Sequence, residues 1–572
     1  IINQELFEIA EFMSYQTVTP LIRCLQTVLP NKLRPQTSAT KPKVVRGIKY
    51  VGDYDATLTK KQLEFVEKYQ DQEFVRLKDA RTFYSGYRSL IDKGIFKEVE
   101  KEVRYEEADI KKTYPSHSLT PVQEAVFESV SFDHAHTYLL HGVTGSGKTE
   151  LYLQWAANVL KQNKSVLFLV PEISLTPQMI DRVSKRFGED VGIYHSSLND
   201  QEKYEQYLRV KKGETQIVVG TRSAIFMPFN NLGLIIMDEE HDHSYKQSNM
   251  PMYATHDIAH LRSKYHDCPL ILGSASPRLE SYARALRGNY TLLELPQRIN
   301  ERFPVVNVVD TKDALYHQES SLITNDLLTA IESRLKRHEQ IILVLNRRGY
   351  MTLLKDAITQ EVLMCPNCDI SLNYHKHDNT LKCHQCDYQT KQIPKGSDNQ
   401  PLKVVGSGVG TQRLQEYLGH RFPNAKVGRM DRDTTTRKHA HEKILTAFRN
   451  HEYDILVGTQ MIAKGLDIPN VTLVGILNID TALGHEDFRS VEDTFNLILQ
   501  ASGRSGRGEK QGEVIVQTFN VDHYAIQYAV HNQYKSFFNQ EMQYRKMAQY
   551  PPYTYLISIV FSDEKESDAY RK

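Results

Sequence analysis

The stretch Thr137-Tyr-Leu-Leu-His141-Gly142-Val143-Thr144-Gly145-Ser146-Gly147-Lys148-Thr149 decides the fold. A short β-rich run leads into the pattern G-x-x-x-x-G-K-[ST], and Glu150–Leu160 behind it carries helical periodicity. Strand, glycine loop and helix together make a unit that holds phosphate. The glycines let backbone N–H groups close on the anion, at a helix N-terminus that favours negative charge. On this reading Gly142, Val143, Thr144, Gly145, Ser146 and Gly147 form the cradle and Lys148 reaches the β and γ phosphates. The Thr149 hydroxyl takes a place on Mg²⁺. The site is expected to take ATP with Mg²⁺.

Working outward, β-rich runs alternate with helical segments: Ser165–Val170, Thr215–Val219, Leu234–Met237 and Pro269–Leu272. Continuous apolar strands separated by helices predict a doubly wound parallel sheet. A second series follows at Ile341–Leu345, Lys403–Val405, Ala425–Val427, Asp454–Val457, Val471–Ile476 and Val514–Gln517. Two tandem α/β lobes are therefore expected, the first over 113–296 and the second over 297–545. In the first, Leu234-Ile-Ile-Met-Asp238-Glu239-Glu240-His241 brings acids to the C-terminal end of a buried strand, where ligands of open α/β sheets bind. Asp238 is placed to hold Mg²⁺ through its water shell, and Glu239 to orient and deprotonate the attacking water. Gln123 precedes the glycine loop at a distance suited to reading adenine, and a purely structural glutamine is an equal alternative.

Cys365-Pro-Asn-Cys368 and Cys383-His-Gln-Cys386 interrupt the second series and mark an insertion over 361–400. Two C-x-x-C pairs separated by 14 residues suit a closed tetrahedral Zn²⁺ site, structural because no position stays open. Nearby His375, His377 and His384 are not needed as ligands, and a redox dithiol is the alternative. Of six cysteines in 572 residues, four sit in this cluster, a usage that fits a reducing cytoplasm. Lys+Arg 71 against Asp+Glu 70 gives no global electrostatic footprint for nucleic acid, so any DNA contact must be local. No apolar run approaches the roughly 20 residues that span a bilayer.

Residues 1–30 read as an apolar helical piece, and Asn31–Val51 is a basic stretch without an acid, either a solvated linker or a phosphate-contacting strap. Over 53–112, three short helical patterns (Thr59–Tyr69, Val75–Asp79, Tyr84–Lys93) and a hairpin at Phe96–Tyr105 predict a winged helix. Such modules dock either DNA or protein. The chain starts at Ile1 without methionine and stops at Lys572, as a fragment would.

Further strings resemble superfamily 2 helicases, in that family's order. Leu169-Val-Pro-Glu-Ile-Ser-Leu-Thr176 and Val219-Gly-Thr221-Arg222-Ser223 resemble its DNA-backbone motifs, and Gly273-Ser-Ala-Ser-Pro277 its coupling motif. Gly458-Thr459-Gln-Met-Ile-Ala-Lys464-Gly465 resembles the second lobe's strand-contacting motif, and Gln500-Ala-Ser-Gly503-Arg504-Ser-Gly-Arg507 the arginine motif. Leu232–Gln247, Leu345–Tyr350, Gly410–Gln412 and Asp487–Arg489 narrow the resemblance to the PriA replication-restart helicases, across nearly the whole chain. The resemblance implies a 3′→5′ ATP-dependent DNA helicase, taken to act as a monomer in the cytoplasm. Its partners would be forked and single-stranded DNA, primosome proteins and single-stranded-DNA-binding protein.

It assigns catalysis to Lys148, Asp238, Glu239, Arg504 and Arg507, with both arginines reaching across from the far lobe. DNA contact would fall to Thr221, Arg222, Tyr245, Lys246, Thr459 and Lys464, although the Ser244–Tyr253 loop also reads as structural. Residues 1–52 would be a remnant of the family's N-terminal DNA-binding domain with a basic linker, and 546–572 the start of a truncated C-terminal domain. The family has eight cysteines on two zinc ions. Lys355–Met364 and Ile393–Asn399 lack the outer pairs, so one zinc site is expected. Met252, His256, Asp493 and Gly465-Leu-Asp467 also depart from the family pattern. Two other readings stay open: a fork-binding assembly platform with regulatory ATP use, and an RNA helicase.

Overall fold

The computed structural model describes residues 2–34, 44–52, 58–102, 114–171, 176–188, 191–299, 304–311, 323–345, 353–356, 366, 372–375, 380–382, 388–391, 404–407, 410–431, 434–435, 440–459, 462, 468, 470–483, 487–505 and 510–557. Apolar residues at helical spacing make two opening helices, Gln4–Thr17 and Leu21–Val28, and bury Leu6, Ile9, Met13, Cys24 and Val28. Glu5 also turns inward. Its carboxylate accepts from Arg262 Nε and Nη2 at 2.6 and 3.1 Å, which fastens this helix to the first sheet lobe.

The basic stretch is not only a linker. Its second half forms β1 (Val44–Tyr50), which pairs antiparallel with β2 (Val75–Arg76) and β3 (Phe96–Glu102). The boundary expected at 52/53 therefore falls inside one small sheet. Where a hairpin was expected within Phe96–Tyr105, the strand pairs with β1 from Val44↔Glu102 to Tyr50↔Phe96. Helices Lys60–Tyr69, Leu77–Phe83 and Arg88–Asp92 pack on this sheet around Ile48, Phe65, Leu90 and Phe96.

The first lobe contains β4 (Thr137–Gly142), β5 (Ser165–Leu169), β6 (Val191–Tyr194), β7 (Ile217–Gly220), β8 (Leu232–Asp238), β9 (Leu270–Ser274) and β10 (Thr291–Leu295). All run parallel in the order β10-β4-β9-β8-β5-β7-β6. Alternate residues face opposite sides. Leu140, Phe168, Val219, Ile236 and Ile271 join Trp155 on one side, while Leu139, Leu167, Val218, Ile235 and Leu272 serve the other. Burial on both faces explains why these strands read as unbroken apolar runs.

The second lobe repeats the plan. It uses β11 (Val305–Asp310), β12 (Gln340–Leu345), β18 (Val427–Met430), β19 (Ile455–Gly458), β20 (Val471–Leu477) and β21 (Glu513–Thr518). These are parallel in the order β11-β21-β20-β12-β19-β18. Between β12 and β18 lies an antiparallel sheet of β13 (Leu353–Asp356), β14 (Asn373–His375), β15 (Thr380–Lys382), β16 (Gln389–Thr390) and β17 (Val404–Ser407). The run Lys403–Val405, expected to resume the parallel series, instead closes this inserted sheet by pairing with β13. The insertion thus reaches beyond 361–400 on both sides. One apolar cluster is continuous from the first lobe (Leu139, Leu272, Tyr282) to the second (Val344, Val474, Phe495, Val516). Among the described residues no helix is long and apolar enough to cross a membrane.

Candidate active site at the lobe junction

β4 ends at Gly142, and the loop behind it is tied down from several sides. Val143 N–H donates to the Leu295 carbonyl at 3.1 Å, Ile299 N–H to the Gly145 carbonyl at 3.1 Å, and Ser146 N–H to the Val143 carbonyl at 3.0 Å. Gly147 holds φ +85°, a region glycine enters at little cost, and a Cβ there would lie 2.3 Å from Gln123 Nε2. Lys148 begins the helix Lys148–Lys161, is buried, and donates to the Gly142 carbonyl at 2.6 Å. Thr144, Gly145, Ser146, Gly147, Lys148 and Thr149 all line a cavity of about 640 Å³.

β8 delivers Asp238 and Glu239 to the same cavity. Tyr152, from the helix behind the loop, donates its hydroxyl to Asp238 Oδ1 at 3.1 Å. The Tyr245 hydroxyl takes the Asp238 carbonyl at 2.7 Å. Burial, then the charge of Glu239, pushes the Asp238 carboxyl far above the usual carboxylate range, with Lys148 opposing. Two adjacent acids under these conditions suit a cation, which would restore the charged form. Glu239 stands at φ +46°, a left-handed turn that costs a non-glycine residue about 1–3 kcal/mol and recurs at functional sites. Its Oε2 and the Ser146 Oγ are buried and have no hydrogen-bond partner among the described residues. Unsatisfied oxygens on the loop and at the strand end, a glycine cradle and a buried lysine fit a magnesium-bound triphosphate. Lys148 and the loop N–H groups would hold the phosphates, with Thr149 and Asp238 at the metal.

The opposite wall comes from the second lobe. Helix Ser490–Ser502 runs into the junction, and Gln500 and Arg504 line the cavity that holds Lys148. Gly503 is helical, with φ −65°, and is required for space: a Cβ would meet Thr144 Cγ2 at 2.7 Å. Gln500 Nε2 donates to His241 Nε2, so the ring's Nδ1–H donates to Ser274 Oγ at 2.7 Å, at the end of β9. Ser274 Oγ also accepts from the Ser276 N–H at 2.9 Å. Asp493 meets His243 across the same seam. Neither Tyr152 nor this Gln500–His241–Ser274 relay was assigned a role from sequence. The strings containing Gln500, His241 and Ser274 were the available signal.

A DEAD/DEAH box helicase profile matches residues 120–285, and a helicase conserved C-terminal domain matches 396–509. The PriA DNA helicase Cys-rich region domain matches 365–391. The chain is 46% identical over 500 residues to replication restart protein PriA of Bacillus subtilis, covering 86% of this chain and 62% of that protein. It is 44% identical over 490 residues to PriA of Synechocystis, covering 83% and 59%. With PriA of Borreliella burgdorferi it is 35% identical over 447 residues, covering 78% of this chain and 67% of that protein. The chain belongs to the PriA family. It spans 62% and 59% of the first two relatives' length.

As a PriA-family member it carries two helicase lobes and the family's Cys-rich region. Cys365, Cys368, Cys383 and Cys386 all fall within that region but lie outside the described residues, as do Lys464 and Arg507. Four thiolates in paired C-x-x-C spacing fit one zinc ion by donor chemistry.

Three of the expected site residues are engaged within the protein. Gln123 lines the cavity and braces the glycine loop: Nε2 donates to the Ser146 carbonyl at 2.9 Å and Oε1 accepts from Thr120 N–H at 2.9 Å. Tyr245 is 1% exposed and Tyr253 4%, because the hydroxyl of one is held by Asp238 and the ring of the other packs on Phe226. Neither can stack on a base as it stands. Arg222, half-buried, donates from Nη1 to the Ser244 and Lys246 carbonyls, both at 3.0 Å, and so shapes the Ser244–Tyr253 loop. Thr221 is buried beside it, Thr459 is half-buried at the end of β19, and Lys246 is exposed.

Proposed function

We propose that this PriA-family chain is an ATP-driven DNA motor with 3′→5′ polarity. It would recognise abandoned forks and initiate primosome assembly in the bacterial cytoplasm. One observation carries this reading: Lys148 of the first lobe and Arg504 of the second line one cavity, with Gly503 seated on Thr144. A nucleotide site built from both lobes is complete only when they are closed. Hydrolysis then alternates closed and open forms and moves the lobes along a strand.

Within the closed site Lys148 and the loop N–H groups bind the triphosphate, and Glu239 accepts a proton from the attacking water. Arg504, with Arg507 of the same string, stabilises charge at the γ phosphate, an effect worth about 10³–10⁵ in turnover. Magnesium held by Thr149 and Asp238 neutralises phosphate charge when bound. Arg222, Lys246, Thr459 and Lys464 are the candidate strand contacts that remain once Tyr245 is turned inward. The β1–β3 sheet with its three helices supports the winged-helix reading, and in this proposal it touches the duplex arm. The Cys-rich region holds one zinc and receives primosome proteins. Single-stranded-DNA-binding protein is the further partner implied.

Strand displacement on forked duplexes with a 3′ or a 5′ tail tests this, using wild type and Lys148→Ala. The motor displaces only from the 3′-tailed template strand, and Lys148→Ala binds the fork but displaces nothing. Tight binding without displacement by wild type would instead mark an assembly platform. Turnover stimulated by RNA as strongly as by DNA would mark an RNA helicase.

A further inference from the structure

The helix Tyr534–Met547 follows β21, the last strand of the second lobe, and reaches back across the junction. On the second-lobe side Phe537 stacks on Phe495, with ring centroids 4.0 Å apart and planes within 8°. Glu541 accepts from the Tyr524 hydroxyl at 2.5 Å. On the first-lobe side Tyr534 packs edge-on against His141 (4.8 Å) and Tyr282 (5.1 Å), and its buried hydroxyl donates to the Pro277 carbonyl at 2.7 Å. Lys535 pairs with Glu294 at 3.1 Å. His141 leads into the glycine loop, and Pro277 ends the segment that holds His241 through Ser274. A single tyrosine thus touches the approaches to both.

Arg545, on the same helix, is 1% exposed and gathers carboxylates from three sources. Nη2 donates to Glu492 of the second lobe at 2.7 Å, Nε to Glu541 of its own helix at 3.0 Å, and Nη1 lies 3.7 Å from Glu280 of the first lobe. The other oxygen of Glu492 accepts from the Leu279 N–H of the first lobe at 3.1 Å. Burial disfavours the Arg545 charge, but Glu492 and Glu280 outweigh it and keep the guanidinium firmly protonated. Glu492 sits in the first turn of helix Ser490–Ser502, whose far end carries Gln500 and leads to Arg504. Thirteen helical residues make a stiff rod about 20 Å long. Holding one end fixes the direction of the other.

We propose that Tyr534 and Arg545 are positioning residues for ATP turnover. They lock the first lobe's Gly273–Pro277 segment and the near end of helix Ser490–Ser502 together, so that Arg504 at the far end is delivered to the triphosphate. The inference rests on the motor reading above. It adds that the Tyr534–Met547 helix is the strut that sets lobe closure.

The test is a double-mutant cycle in the full-length protein. Turnover stimulated by single-stranded DNA is measured for wild type, Tyr534→Phe, Arg545→Lys and Arg545→Met, each with and without Arg504→Ala, alongside binding of a fluorescent ATP analogue. Tyr534→Phe removes one hydroxyl from a packed ring and is expected to lower stimulated turnover about fivefold, the worth of one buried hydrogen bond. Arg545→Met is expected to lower it by about a hundredfold with nucleotide affinity kept within about threefold, and Arg545→Lys to recover part of the loss. Because both residues act through Arg504, neither substitution should cost more than about twofold once Arg504 is alanine. A purely structural role predicts the same loss in either background, and that result, or full turnover in Tyr534→Phe, overturns the inference alone. A wild type whose turnover single-stranded DNA does not raise overturns the motor reading and this inference with it.

Discussion

Replacing Gly503 with alanine adds one methyl group at the point where the lobes touch. The backbone at Gly503 is helical (φ −65°), so alanine fits the local conformation and should leave or slightly raise thermal stability. Across the junction the new Cβ would meet Thr144 Cγ2, Oγ1 and Cβ at 2.7, 2.9 and 3.0 Å. Ordinary van der Waals contact begins near 3.4 Å, so the lobes must separate by about 0.7 Å or distort the glycine loop. Overpacking of this kind costs about 1–3 kcal/mol. Only the closed form carries the clash, and its population should therefore fall roughly five- to 150-fold. DNA-stimulated ATPase on Gly503→Ala reads that loss directly. Thr144→Gly removes all three opposing atoms and should restore most of it in the double variant. Unchanged turnover in Gly503→Ala, or a loss that Thr144→Gly leaves untouched, would refute the packed junction.

Tyr152→Phe removes the hydroxyl that supports Asp238 Oδ1 and should raise the Mg²⁺ concentration for half-maximal turnover about fivefold, checked by metal titration at saturating ATP. Glu5→Ala leaves Arg262 buried without its carboxylate and should cost about 3–5 kcal/mol in denaturant unfolding, with a normal nucleotide site. Burial pushes the Glu5 carboxyl up, yet Arg262 and His266 outweigh it and hold it below its ordinary 4.5. The pair's contribution is therefore complete above about pH 4.5 and is lost as pH falls through the lower native value; Glu5→Gln should flatten that acid limb. Metal analysis should return one zinc per chain, lost in Cys383→Ser, and two would contradict the four-thiolate reading.

The glycine loop, the acidic strand end and the two-lobe plan were legible because each is a local pattern whose chemistry needs those residue types in that order. Strands β6, β10 and β11 escaped for the opposite reason: each lies at the edge of its sheet, and β11 keeps no alternate residue fully buried. Val404–Ser407 shows a different limit, since an apolar run announces a strand without naming its partner. Tyr245 is amphipathic and satisfies either a base or a backbone carbonyl, so sequence could not say which way it faces. Contacts such as Gln500 with His241 join residues 259 apart and leave no local trace. The same holds for Arg545, which reads in sequence as one more charge on a helix surface.

Arg504→Ala assayed for DNA-stimulated ATP turnover and for nucleotide binding tests the shared site most directly. If the second lobe completes the site, turnover falls by about 10³-fold or more while nucleotide affinity, set by Lys148 and the glycine loop, changes little. A variant that still hydrolyses ATP at near wild-type rate would mean that the first lobe works alone, and the two-lobe account would be wrong.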